Sequence, residues 1–300
     1  PDSQQHHRAN QLARVVGMAD KFLGDNIPKF DKQSNESGDV SLTNWSALTK
    51  VQKRTVGEVI LIILFAVCIV GGLEAYVIIY EVPQFVFPRP SAIATALFTD
   101  FEFILPHLGH TLVELFSGFF IGASIGLILA GVITQFPFVE KIVAPYILML
   151  VTTPMLALVP LLILRFGFGY EPRIIAVALA SGPMVMINSA TGFRRVDLAK
   201  IALARSFGAS TMQIFLKVRV PMALPMIIVG LMVGAIFGLL TAVGAEMVGG
   251  GFGLGNRLTT YSATIKMPQF FAIIMILSTL GILIYLFFYF VGKKWASWES

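Results

Sequence analysis

The sequence predicts an all-α membrane protein with about six transmembrane helices and an amphipathic N-terminal tail. Three observations predict it. Of 300 residues, 56% are hydrophobic and 13% charged, and the mean hydropathy is +0.80; a soluble chain of this length would need far more polar surface. Six apolar runs, near 58–80, 111–133, 142–164, 173–191, 222–247 and 269–291, are each long enough to cross about 30 Å of hydrocarbon at about 1.5 Å per helical residue. Lys and Arg flank those runs unevenly. With the N-terminus inside, twelve lie on inner flanks, among them Lys53, Lys141, Arg194 and Lys293, and five lie outside: Arg89, Arg165, Arg173, Arg257 and Lys266. That bias predicts that both termini are cytoplasmic. The net charge of +5 comes from these scattered flanks rather than from one patch, which argues against nucleic acid as a partner.

The tail comes first. Leu12, Val15, Val16, Ala19, Phe22 and Leu23 recur at helical spacing, as in a short amphipathic helix lying on the bilayer or on a partner subunit. A partly ordered tail fits the same residues. Residues 31–44 have the composition of a linker, and the first fifty residues show no signal-peptide core. In the first span, Glu74 is either an intramembrane charge or a sign that the helix ends before it. Cys68, the single cysteine, excludes an intrachain disulfide.

Small residues recur every four positions in the second span (Gly118, Gly122, Gly126) and in the fifth (Gly230, Gly234, Gly238). Such rows let helices approach closely, within one chain or between two. The third span carries Pro145, Pro154 and Pro160. Its stretch VTTPMLALVP is either a structural kink or backbone lining a wet pathway. Polar groups inside the spans are further pathway candidates: Thr152, Thr153, Ser181, Asn188, Thr241 and Glu246. Each uncharged one is equally able to bond a carbonyl of its own helix. Glu246 is placed either to form a gate or to make a salt bridge with Arg257 or Arg165. Gly249–Arg257 reads as a flexible external loop, and His107 and His110 as surface histidines. No paired carboxylates, nucleophile–base set or metal-binding spacing stands out, so neither a catalytic site nor a metal site is expected. The phosphate-cradling pattern G-x-x-x-x-G-K-[ST] does not occur in the sequence.

The segment 192–221 is the most informative. It is polar, basic and helical in pattern, yet lies between two apolar runs. Asp197 is placed to cap a helix over Leu198–Phe207, and Gly208 to end it in the left-handed conformation. Ser210 is placed to cap a second helix over Thr211–Val220, with Pro221 marking the turn into the fifth span. The first helix is expected to offer Leu198, Ile201, Ala202 and Ala204 to a partner, beside Arg194, Arg195, Lys200 and Arg205.

This segment closely resembles the cytoplasmic loop of ABC importer permeases, whose pattern is EAA, three residues, Gly, nine residues, then I-x-L-P. Gly208 takes the glycine position, and Val218, Val220 and Pro221 take the last three. Ala202-Leu203-Ala204 stands where the family often has Glu-Ala-Ala. FPRPSAI (87–93), HTLVELFSGF (110–119), TTPMLALVPLLILRFGFG (152–169) and AEMVGGGFGLG (245–255) are similar to the nitrate/sulfonate/taurine-type subfamily. Glu114 sits where that subfamily usually carries arginine.

The resemblance, which extends over roughly 83–291, implies a type I importer core in a bacterial inner membrane; the permease domain is placed at 51–300, preceded by the tail 1–50. It implies a translocation pathway for a small solute such as nitrate, a sulfonate or taurine, bicarbonate or a vitamin precursor. It implies coupling through Arg194, Arg195, Asp197, Ala202, Leu203, Ala204, Ser206, Phe207, Gly208 and Ala209 to separate ATPase subunits, which bind ATP and magnesium. This chain is then no enzyme by itself and holds no cofactor. The other implied partners are a second permease copy, forming a homodimer, an extracytoplasmic substrate-binding protein and the bilayer. The alternative is a self-sufficient secondary transporter or channel.

Overall fold

In the computed structural model, residues 56–295 are described. The expected tail helix, linker and domain boundary near residue 50 lie outside them. The first span is α1 (Val56–Ile79). It runs on through Glu74, whose two carboxylate oxygens accept the Ser91 backbone N–H at 2.9 Å and the Ser91 hydroxyl at 2.7 Å. Glu74 thereby satisfies free donors at the start of α2 (Pro90–Thr99), a helix not anticipated from hydropathy. Then follow α3 (Phe101–Gln135), α4 (Pro137–Thr152), α5 (Met155–Phe166), α6 (Tyr170–Arg194), α7 (Leu198–Ser206) and α8 (Thr211–Ile214). The chain ends with α9 (Val220–Gly249), α10 (Leu254–Ala263) and α11 (Met267–Trp295). Among the described residues, five helices are long and apolar enough to cross a membrane, and the bent pair α4–α5 makes a sixth if it counts as one span.

The core is a helix sandwich with α6 between α3 and α9. Both glycine rows face α6. A Cβ on Gly118 would lie 2.5 Å from that of Val177 and 2.7 Å from the Ile174 carbonyl, and one on Gly126 would run into the Gly182 carbonyl. From the other side, a Cβ on Gly230 would lie 2.9 Å from Asn188 Cβ, and one on Gly234 2.8 Å from Val185 Cγ2. The close approach is therefore made within one chain, and it brings backbone to within van der Waals contact. Leu115, Phe119, Val185, Leu239 and Phe288 fill the space on the α11 side, and Ala130, Ile133, Met186, Phe193 and Ile227 the space nearer α7.

The third apolar run is bent by 96° between α4 and α5 rather than merely kinked. Pro145 and Pro160 lie inside helices, so Pro154 alone marks the break. It has no N–H to donate, and it drives Thr153 to extended backbone at φ −78°, ψ 124°. The Thr152 and Thr153 hydroxyls bond the Leu148 and Met149 carbonyls at 2.9 and 2.6 Å, partnering the helix end.

Pro221 makes no turn. Thr211–Gly249 forms one 39-residue helical run, which crosses the proline through a π-helical segment, Phe215–Arg219. A proline ring clashes with the carbonyl four residues earlier, here Lys217. Widening the turn around that carbonyl accommodates the ring without breaking the helix.

Candidate functional site

Three regions concentrate the predicted site residues. The first is the connection from α6 to α9. Asp197 accepts the Ala199 N–H at 2.8 Å and starts α7. Gly208, at φ +77°, ends it. The Gly208 N–H reaches the Arg205 carbonyl at 2.9 Å and the Ala209 N–H reaches that of Ala204 at 3.1 Å, the paired bonds of a Schellman cap. Ser210 and Gln213 then exchange side-chain and backbone bonds in a capping box that opens α8. Both helices of the connection are thus capped by local bonds, from side chains at Asp197 and Ser210 and from the backbone around Gly208.

Its faces differ from the expectation. Ile201 is buried with Val196 and Ile214, and Ala204 and Ala209 pack on that cluster. These residues point back into the chain, because the i, i+3 positions of a helix lie on one face. Leu198, Leu203 and Phe207 turn outward instead, at 78%, 59% and 81% exposed, with Leu198 at the start of the helix and Leu203 and Phe207 at its end. Ala202, Ser206, Lys200, Arg205 and Arg195 are exposed around them. Arg194 reaches Glu140 on α4 at 2.7 Å, fixing the base of the connection to the broken span.

The second region is a cleft of about 340 Å³ at the α4–α5 break. Thr153, Pro154, Leu156, Pro183, Phe237 and Thr241 line it. Thr153 and Thr241 are therefore brought together, while Thr152, Ser181 and Asn188 are not among its lining. All five bond a carbonyl one turn earlier in their own helices: Ser181 to Val177 at 2.8 Å, Asn188 to Met184 at 2.8 Å and Thr241 to Phe237 at 2.8 Å, like the two threonines above. Ser181 is fully buried where Gly122 and Gly234 cross α6.

The third region lies at the end of α6 remote from α7. Glu246 is fully buried and bonds neither Arg257 nor Arg165. It accepts the Thr111 hydroxyl and the Gly255 N–H, each at 2.7 Å. Glu114, also fully buried, pairs with Arg173 at 2.8 Å. Arg173 extends to the Phe252 carbonyl at 3.2 Å and to the Gly250 carbonyl, and its guanidinium lies 4.2 Å from the centre of the Phe252 ring. The Thr111 hydroxyl accepts the Leu254 N–H at 3.0 Å.

The glycine-rich segment is accordingly no flexible loop. It is a fastened turn that leads directly into α10. Gly253 has φ +93°, and a Cβ there would collide with the Glu246 carboxyl. The histidines belong to this structure too. The Gly253 N–H lies 3.2 Å from one ring nitrogen of His107 and Arg257 Nε 2.8 Å from the other, of which a neutral imidazole accepts only one, while His110 bonds the Tyr170 hydroxyl. Beside them a polar cup of about 300 Å³ is lined by Asp100, Arg257, Thr260, Tyr261, Lys266 and Gln269. Burial, with the nearby Asp100 carboxylate adding to it, pushes the Tyr261 phenol above its usual range. The sequence held one signal for the buried cluster, acidic residues inside apolar runs, but no local pattern says which arginine meets which glutamate across 59 positions.

Comparison with known proteins agrees on one family. Residues 122–297 match the family of binding-protein-dependent transport system inner membrane components. A probable ABC transporter permease protein of Haemophilus influenzae is 31% identical over 68% of this chain and 83% of its own. A putative aliphatic sulfonates transport permease protein of Bacillus subtilis is 31% identical over 77% of this chain and 83% of its own. The taurine transport system permease protein of Escherichia coli is 28% identical over 65% and 70% respectively. Among solved structures, an inward-facing MetNI methionine ABC transporter matches with a TM-score of 0.56 at 20% identity, over 64% of this chain and 95% of that one. That likeness shows a shared fold.

Proposed function

Because the chain belongs to the family of binding-protein-dependent transport system inner membrane components, we propose that α7 is the element through which a separate ATPase drives it. The chain is the permease component of an ABC importer, a multi-pass inner-membrane protein, and ATP hydrolysis resides on another subunit. The observation that carries the proposal is the exposure of three large apolar side chains, Leu198, Leu203 and Phe207, on a short helix capped at both ends. Apolar side chains left in water on a capped helix suit insertion into a groove of a partner. Arg205, Lys200 and Arg195 around them supply charge to steer it. Arg194–Glu140 then passes displacement of the connection to the α4–α5 break.

On this reading α7 and both termini are cytoplasmic, as the charge bias favours. The cleft at the break, with Thr153 and Thr241, lies on the solute pathway of a pair of permease copies. ATP binding and hydrolysis shift that pair between two states. A separate binding protein presents the solute at the opposite end, where the fastened turn and the polar cup lie. Alkanesulfonates and taurine are the first solutes to try, since relatives over most of the chain are named for them.

The test is ATP-driven uptake of labelled taurine and alkanesulfonates by proteoliposomes holding the complex isolated from native membranes. Uptake that needs ATP and the binding protein, and that fails with Phe207→Asp, supports the reading. Uptake by this chain without ATP would make it a secondary transporter instead.

A further inference from the structure

The polar cup of about 300 Å³ beside the fastened turn is built by three parts of the chain. Asp100 comes from the edge of α3, Arg257 and Tyr261 from α10, and Lys266 and Gln269 from the start of α11 and the turn before it. Two bases and one acid therefore share one small cavity. They are not paired with one another: among the described residues, Asp100 forms no ion pair with Arg257 or Lys266. Nor does Asp100 serve its own helix, for its side chain makes no capping bond.

Both bases are held in place from behind. Arg257 Nε lies 2.8 Å from a ring nitrogen of His107, and the guanidinium carbon lies 4.5 Å from the centre of the Phe103 ring. These contacts fix the plane of the guanidinium and leave its terminal nitrogens for an oxyanion. Lys266 is set by a strained turn. Ile265, just before it, has φ +57°, which is unfavourable for a β-branched side chain, and at 62% exposed it gains little burial in return. The Lys266 N–H bonds the Tyr261 carbonyl at 2.9 Å, and the Lys266 carbonyl accepts the Phe270 N–H at 3.0 Å, so the turn fastens Lys266 to the cup from both sides. Tyr261, 7% exposed, forms a wall, and the Gln269 amide supplies a donor and an acceptor.

The three charges select a ligand. A plain anion would gain the two bases but meet the Asp100 carboxylate as a like charge, and a plain cation would meet the bases. A molecule that carries both signs satisfies all of them. We propose that the cup binds a small zwitterion, its sulfonate, phosphate or carboxylate between Arg257 and Lys266 and its ammonium at Asp100. Two sources carry that chemistry: a free amino-sulfonate or amino acid, and the headgroup of an ethanolamine phospholipid. Exposed Phe98 and Phe101, on either side of Asp100 in sequence, suit the acyl chains of the second. The free source rests on the importer reading above and singles out taurine over unsubstituted alkanesulfonates. The binding itself does not depend on which partner α7 meets.

The test is saturation-transfer NMR on the whole complex in phosphatidylglycerol nanodiscs, without ATP or binding protein. The probes are taurine and isethionate, which differ only in an ammonium against a hydroxyl. Taurine should bind at least about threefold more tightly, the scale of one partly exposed charge pair. Asp100→Asn should bring the two level, and Lys266→Gln should weaken both. Glu102→Gln, outside the cup, should change neither. Phe207→Asp should also leave the taurine preference intact, so failure of α7 docking and failure of this site are read separately. Nanodiscs containing phosphatidylethanolamine decide the source. Taurine binding that persists there assigns the cup to a free solute. Loss of taurine binding there assigns it to the headgroup, with phosphatidylethanolamine retained in native mass spectrometry by the natural complex and not by Asp100→Asn. Equal binding of taurine and isethionate by the natural complex overturns the proposal. So does a preference that survives Asp100→Asn, or binding of neither probe together with no preferential retention of phosphatidylethanolamine.

Discussion

Placing a single methyl group at Gly122 should drive α3 and α6 apart, while the same methyl at Gly109, on the same helix, should do nothing harmful. A Cβ at Gly122 would sit 2.6 Å from Ser181 Oγ and 2.9 Å from Ala178 Cα, and closer still to the Ala178 carbonyl. Carbon atoms pack at no less than about 3.5 Å, so the helices must separate by at least about 0.6 Å or the side chain must strain. The atoms in the way are mostly backbone and have no rotamer in which to retreat. Overpacking of this kind costs about 1–3 kcal/mol. At Gly109 nothing lies within 4 Å of the added methyl. Glycine to alanine gains up to about 1 kcal/mol of helix propensity at both sites. The difference between Gly122→Ala and Gly109→Ala removes that shared gain and leaves the packing cost alone. The assay is the thermal inactivation half-life of the purified complex, because detergent-solubilised membrane proteins unfold irreversibly. Gly122→Ala should inactivate several-fold faster than Gly109→Ala at the same temperature. Equal half-lives would refute the claim that α3 packs backbone-close on α6 within one chain.

Three other changes probe the remaining regions. Asp197→Ala removes the cap on α7 and should cost about 1 kcal/mol of local stability, read as faster amide exchange over Leu198–Ser206, with Asp197→Asn restoring most of it. A Cβ at Gly208 meets no neighbour within 4 Å, so Gly208→Val acts through the strain of a β-branched residue at φ +77°. About 1–2 kcal/mol should distort the cap, leaving an inserted subunit whose ATPase activity no longer drives uptake; normal coupled uptake would contradict the loop geometry. Arg173→Met leaves Glu114 and Glu246 without their counter-charge and should destabilise the complex by about 3–5 kcal/mol. Arg173→Lys should recover only part, since one ammonium does not span Glu114 and the two carbonyls, and thermal inactivation of both variants checks it.

How much of this was legible in the chain depends on how local each determinant is. Asp197, Gly208 and Ser210 act on bonds two to five residues away, and their caps stand where the residue types placed them. The apolar runs identified the spanning helices because hydrocarbon thickness imposes their length. The helices α2 and α10 escaped notice because they are short, and α10 carries polar groups such as Asn256, Arg257 and Thr260. Pro221 and Pro154 are the same residue type with opposite outcomes. One is absorbed by a π-helical segment and the other accompanies a 96° bend. The proline itself therefore does not decide which outcome follows. Glycine rows were visible as spacing, but only the fold shows that both face α6. The Glu114–Arg173–Glu246 cluster joins three helices far apart in sequence, and its pairing is a tertiary fact. At α7 the face expected to meet a partner included Ile201 and Ala204, but these pack inward, and Leu203 and Phe207 reach solvent instead.

The central claim is that α7 is the docking element for the ATPase, and isolation of the complex from native membranes tests it most directly. With the natural chain, a subunit carrying ATPase activity should co-purify. With Phe207→Asp, which places a charge at the 81% exposed tip of α7 and leaves the buried cluster Val196–Ile201–Ile214 untouched, that activity should be lost while the permease inserts and folds as before. Undiminished co-purification and ATP-driven uptake with Phe207→Asp would contradict the account.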